Sequence, residues 1–289
     1  MTIPRTAPKI AVWIVALLVA VVFFVPVAWM IVTSLKATSQ IFTLPPTLLP
    51  RPAHWSNYPA ALKSAPFARY FLNSMIVSVS SVAINVFVSC LAGYALARLQ
   101  FPGRQGIFIA ILATIMIPPQ LTLVPLFILL RHFPLVGGNG WNGNGGLGLL
   151  DTYPGLILPY AAGAFGIFLM RQFFLTLPRD LEDSARVEGA SEFRIFASIM
   201  VPLVRPAMAT LAVFVFQGAW NDFLWPLVII NHNLMYTLQL GLTIFQQEYT
   251  TNWGLLMAAT TMASVPVIII FLFAQRTFTE GIALTGLKT

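Results

Sequence analysis

Six apolar segments of about twenty residues constrain this chain more than any other feature. They run at roughly 10–33, 71–96, 106–130, 154–174, 207–230 and 253–275. Twenty residues of helix match the hydrocarbon thickness of a bilayer, and a helix satisfies every backbone N–H and C=O from within the segment. Composition agrees. Soluble domains carry roughly 25% charged residues; this chain carries 9%, with 58% hydrophobic. The expectation is an all-α integral membrane protein: one transmembrane domain over 1–289, with six transmembrane helices, no separate soluble domain and no tandem repeat. The first run continues through Trp29-Met30-Ile31. That exceeds the apolar core of a cleaved leader, so it reads as a retained span.

Several spans carry prolines: Pro26, Pro118, Pro119, Pro125, Pro159, Pro226 and Pro266. Each frees a carbonyl and invites a kink, which suits a bundle that encloses something polar or moves, and equally a static kinked bundle. Basic residues orient the bundle. With the N-terminus in the cytoplasm, Arg5, Lys9, Arg98, Arg104, Arg171, Arg179, Arg186, Arg194, Arg205, Arg276 and Lys288 fall inside. Lys36, Arg51, Lys63, Arg69 and Arg131 fall outside. Both termini are therefore expected in the cytoplasm of a multi-pass plasma (inner) membrane protein. The net charge of +7 reads as topology rather than nucleic-acid binding, because the cations form no patch.

The outer loops differ from one another. Residues 34–70 contain PPTLLPRPAHWSNYP and are expected to be ordered and extended rather than helical. Residues 134–150, PLVGGNGWNGNGGLGLL, are expected to be flexible. Cys90 lies in an apolar run and reads as a small core residue. His54, His132 and His232 are far apart, without metal spacing. The tail GIALTGLKT spaces Gly281 and Gly286 like a phosphate loop, but Leu287 stands where the lysine is needed. The chain is expected to bind no cofactor or metal and to be no enzyme.

Five of the nine acids, Asp180, Glu182, Asp183, Glu188 and Glu192, gather in one loop at about 176–205. Asp180 and Asp183 resemble a capping pair for a two-turn helix over 181–188. Gly189 can end that helix in the left-handed conformation. Ser191 can cap a second helix, which puts Phe193, Phe196 and Met200 on one face. An amphipathic connector resting on lipid would prefer Lys and Arg alone on its polar face. A mixed-charge surface suits a protein partner equally well. The other informative stretch is WNDFLWPL, residues 220–227. Asp222 is the only acid in any of the six spans, and an intramembrane carboxylate must face protein or water. With Asn221 beside it, and Trp220, Phe223 and Trp225 offering faces to a sugar's C–H surface, the segment suits a neutral hydroxyl-rich solute. Bracing of a kink near Pro226 is the plainer alternative. Asn73, Asn85 and Gln217 are weaker pathway candidates, since a buried amide usually ties helices together.

At the acidic loop the chain resembles the permease subunits of ABC importers. Their cytoplasmic motif reads Glu-Ala-Ala, three residues, Gly, nine residues, Ile-x-Leu-Pro. This chain has Asp183-Ser184-Ala185, Gly189, Ile199 and Val201-Pro202 at that spacing. NYPAAL, RYFLNSMIVS, GYALARLQFPGR, MIPPQLTLVPLFIL, YPGLILPY and WNDFLWPL extend the likeness to the maltose-type, carbohydrate-importing branch. The resemblance implies a type I importer permease fold. It also implies a coupling helix that docks on a separate ATPase, through Glu182, Asp183, Ser184, Ala185, Glu188, Gly189, Ala190, Phe193, Phe196, Ile199 and Pro202. In that reading Asp183 meets a basic residue of the ATPase, Gly189 permits the bend, and Phe193 and Phe196 hold the second helix to the bundle. It further implies a homologous second permease, two ATPase copies that bind ATP and Mg, an extracytoplasmic solute-binding protein facing loops 34–70 and 231–252, and surrounding lipid. An ion-coupled secondary transporter is the alternative. That class usually shows several intramembrane ionisable groups or an inverted repeat. A membrane-embedded enzyme would need a catalytic set that the sequence lacks.

Overall fold

The structure, a computed structural model, describes the backbone of residues 7–246 and 251–286, and the side chains of residues 11–246 and 251–275. Arg5, Lys9, Arg276 and Lys288 of the charge count lie outside the described side chains. All regular elements among the described residues are helical, and the chain divides into two compact units.

The first unit takes the chain to Ala68 together with Gly241–Val265. It holds α1 (Ala7–Ser34), α2 (Thr38–Ile41), α3 (Asn57–Ser64) and the start of α15 (Trp253–Gly286). Residues 11–24 of α1 leave their apolar side chains exposed, a surface that needs lipid or another helix to cover it. Loop 34–70 is ordered by polar ties. Asn57 donates to the carbonyls of Ser34 and Lys36 at 2.8 and 3.0 Å. The Lys36 ammonium donates to the Thr47 carbonyl and lies 4.2 Å from the centre of the Trp29 ring. One expectation is corrected: NYPAALKS is helix α3, not extended chain. Pro59 falls in its first turn, where backbone N–H groups have no intrahelical acceptor, so the proline costs that helix nothing.

The second unit comprises Arg69–Leu240 and Pro266 onward. Its axis is α4 (Phe67–Arg98), 32 residues without a break, about 48 Å at 1.5 Å per residue. The next segment is broken. α5 (Arg104–Ile115) and α6 (Pro119–Arg131) meet at 105°. Likewise α7 (Tyr153–Ile157) runs through a 3₁₀ turn at Leu158–Tyr160 and meets α8 (Ala164–Thr176) at 45°. After α9 (Asp180–Val187), α10 (Glu192–Ile195) continues through a π-helical turn at Phe196–Met200 into α11 (Val201–Leu203). Next come α12 (Arg205–Asn221) at 76°, α13 (Leu224–Ile229) and α14 (Leu238–Gly241). Among the described residues three helices are long and apolar enough to cross a bilayer alone, and up to six spans result if each bent pair counts as one. The segment expected at 207–230 is itself interrupted, since α12 stops at Asn221 and α13 begins at Leu224. The prolines are unequal. Pro118 caps the 105° bend, whereas Pro26 and Pro266 sit inside unbroken helices.

α4 and α8 approach closely because small residues face each other. A Cβ on Gly166 would lie 2.4 Å from the Ser89 hydroxyl, and one on Gly93 would lie 2.7 Å from Met170 Cβ. Such contacts replace the hydrophobic drive that helices lack in lipid. Tyr94, Met170, Phe174, Ile195, Phe196, Met200 and Leu211 fill the core around this crossing. Loop 134–150 is not the open linker expected of its glycines. Buried Asn139 donates to the carbonyls of Arg131 and Phe133 and accepts from Gly146 N–H. Gly137 and Gly148 approach so closely that a Cβ on the first would lie 2.0 Å from the other's carbonyl. Here glycine serves close backbone packing rather than chain freedom.

Candidate functional site

The acidic loop folds as two short helices around a bend. α9 and α10 are separated by Gly189 at φ +83°, a left-handed conformation that side chains disfavour. The bend is closed by Gly189 N–H donating to the Arg186 carbonyl and Ala190 N–H to the Ala185 carbonyl. Ser191 caps α10 by accepting from Arg194 N–H. The expected capping pair of Asp180 and Asp183 does not form. Asp180 is already inside the helix, and Arg179 precedes it without a side-chain cap. The three acids of the first turn still complement the helix dipole.

The loop's residues sort by direction. Asp183, Ser184, Val187, Glu188 and Gly189 are exposed, while Glu182 and Ala185 are buried. Glu182, expected on the docking surface, turns inward to Arg98 at 3.3 Å, with both side chains under 5% exposed. Asp183 pairs with Arg186 at 2.9 Å, and Arg186 also binds Glu192 at 2.7 Å. Arg186's hydrogen bonds hold the Glu192 carboxyl below the ordinary glutamate value. Glu192 in turn raises the Arg186 guanidinium. Phe196 is buried against Tyr94. Phe193, expected to share that face, is 73% exposed. The buried set is instead Ile195, Phe196 and Met200. The π-helical turn spaces Ile195 and Met200 five apart, where an α-helix would have favoured three or four. Ala190, Ile199 and Pro202 are half-buried. The sequence reading missed Arg98 and Arg186 as partners. The i, i+3 spacing of Asp183 and Arg186 was a readable signal, and for Arg98 there was none beyond its place at the end of a span.

The second cluster surrounds Asp222. Its carboxylate accepts from the Tyr160 hydroxyl, and from Trp225 N–H at 3.2 Å, which caps α13. Tyr160's own carbonyl accepts from Asn85 on α4. Asp222 and Tyr160 line a cavity of about 440 Å³ with Thr122, Leu126, Pro159 and Trp225. Tyr160 went unnoticed because its partners Asp222 and Asn85 are 62 and 75 residues away in sequence, and Thr122 because only the fold brings it to the same cavity. The tryptophans are less available than expected. Trp220 is fully buried between Phe71 and Phe216, and Trp225 spends its indole N–H on the Gly155 carbonyl while walling the cavity. Asn221 and Phe223 are exposed. Asn73 is fully buried. It donates to the carbonyls of Leu234 and Tyr236 and accepts from the Tyr153 hydroxyl, which makes it a tie between elements rather than a lining group.

Residues 86–283 match the family described as the binding-protein-dependent transport system inner membrane component. The chain is 33% identical to the arabinooligosaccharides transport system permease protein AraQ of Bacillus subtilis, over 98% of this chain and 99% of that protein. It is 37% identical to the diacetylchitobiose uptake system permease protein NgcG of Streptomyces coelicolor, over 89% and 82%. It is 34% identical to the sn-glycerol-3-phosphate transport system permease protein UgpE of Yersinia pestis, over 84% and 85%. Among solved structures, a chain of a bacterial ABC transporter involved in the import of the acidic polysaccharide alginate superposes with a TM-score of 0.79. That alignment covers 96% of this chain and 99% of that one at 22% identity, a likeness of fold.

Proposed function

The chain belongs to the family of inner-membrane components of binding-protein-dependent transport systems, and from that premise we propose what it carries and how it is driven. It is a multi-pass permease subunit of an ABC importer; the ion-coupled alternative finds no support among its relatives. Its solute is a carbohydrate or a related polyol-derived compound, in keeping with the sugars and glycerol phosphate named for the relatives. With a homologous second permease it forms the pathway, to which the Asp222–Tyr160 cavity contributes. An extracytoplasmic binding protein delivers the solute. Two copies of a separate ATPase bind ATP and Mg²⁺ and dock on the loop around Gly189. The termini lie in the cytoplasm.

The observation that carries the docking assignment is the bend itself. Two short helices project exposed, mixed-charge side chains around a glycine at φ +83°. A surface of that kind is rigid enough to transmit motion and charged enough to choose a partner. The test is purification of the tagged chain from its native membrane in mild detergent, beside a Gly189→Pro variant. Proline fixes φ near −65° and removes the N–H that closes the bend. An ATPase and a second permease should accompany the wild type, and the ATPase should be missing from the variant. A chain that purifies alone would overturn the assignment.

A further inference from the structure

We propose that the buried Arg98–Glu182 pair is the joint that positions α9 on the bundle, an inference that rests on reading this loop as the ATPase dock. α9 has eight residues, too few to be stable on their own. It buries only two side chains, Glu182 and Ala185. Alanine contributes little apolar area. Glu182 is therefore the one long side chain that this helix buries in the bundle.

What Glu182 grips is itself fixed. Arg98 is the last residue of α4. Its Nη2 donates to the carbonyls of Phe174, which also accepts from Leu177 N–H, and of Leu177, at the end of α8. Its Nη1 meets Glu182 at 3.3 Å. One guanidinium thus joins the ends of α4 and α8 to the first turn of α9. The fork geometry suits this, because a lysine could not hold three acceptors in one plane.

The other charges nearby cannot do the same work. Arg186, Asp183 and Glu192 are each at least 40% exposed at the side chain, where solvent screening leaves ion pairs worth little. The Arg98–Glu182 pair is buried, with both side chains under 5% exposed. A buried pair seldom adds stability over an apolar pair of similar size, so what it contributes here is geometry. Glu182 acts through Arg98 and touches no partner: it is a positioning residue. Displacement of α9 by a docked ATPase would pass through this pair to α4 and α8 together.

The test measures where α9 sits and how tightly the ATPase binds. In a Cys90→Ser background, spin labels at Val187→Cys and Gln100→Cys report the position of α9 relative to the end of α4. The variants are Glu182→Met and Arg98→Met/Glu182→Met. The double variant removes the pair without stranding a charge, so it should fold even where the single one does not. The distance distribution should be narrow in the wild type and broaden in both variants. The Kd for the co-purifying ATPase, measured on unlabelled protein, should rise about 2- to 30-fold, as for residues that carry energetic coupling. A wild-type distance width or a wild-type Kd in the folded double variant would overturn the joint. If wild-type protein binds no ATPase, the docking assignment fails instead, and the distance width still decides whether the pair positions α9.

Discussion

At the scale of single residues, the acidic loop is held by charges that its sequence spacing only half discloses. Asp183 stands where the importer motif has glutamate, and in this chain it already has an internal cation in Arg186. A docking partner must therefore share Asp183 with Arg186 or displace it. Val187, 89% exposed beside the bend, is the most open apolar side chain of the loop. The Arg186–Glu192 contact gives a pH prediction. Glu192 is held below its ordinary value of 4.5, so its stabilisation is complete above that value and is lost as pH falls through the lowered one. Amide protection across 186–195, corrected for intrinsic exchange, should stay flat from neutrality down to about pH 5 and then drop. Glu192→Gln should remove the Glu192-dependent part of that drop. An identical pH profile in the variant would show that the pair does not hold the loop.

At the scale of elements, the helix crossing of α4 and α8 depends on what is absent. Gly93→Ala would place a Cβ 2.7 Å from Met170 Cβ and 2.9 Å from the Arg171 backbone nitrogen. Neither neighbour is the free end of a flexible chain, so the helices must part, at a cost of about 1–3 kcal/mol. Gly106→Ala in α5 meets nothing within 4 Å and should gain up to about 1 kcal/mol of helix preference. Thermal unfolding in detergent, run on both variants, tests the contrast. Equal melting temperatures would contradict the packing. Element types were legible in advance: the long apolar runs are helices, Gly189 ends one, and Ser191 begins the next. The breaks were less so. Pro118 and Pro119 mark a sharp bend, while Pro26 and Pro266 lie inside unbroken helices. The π-helical turn at Phe196–Met200 left no mark in the residue pattern.

At the scale of the whole molecule, the positive-inside count predicts which side each loop faces. Cysteines introduced at Val187 and Trp141, both highly exposed, should behave oppositely in a Cys90→Ser background. A membrane-impermeant maleimide should label Trp141→Cys in intact cells, and Val187→Cys only after permeabilisation. The reverse pattern would invert the topology and remove the loop from the reach of any cytoplasmic ATPase. The bare apolar surface of α1 belongs to the same scale, since exposed apolar area of that extent marks an interaction site rather than a face for water.

Class and family were readable from the sequence alone. A chain so apolar, with six long runs, has no folded state in water, and motif spacing survives in one dimension. Pairings between distant residues were not. Arg98 meets Glu182, Tyr160 meets Asp222, and Asn73 meets Leu234 and Tyr236 across 84, 62 and up to 163 positions. No local propensity encodes such partners. A buried polar group takes whichever partner the packed helices bring within hydrogen-bond reach, and only the tertiary structure decides which one that is.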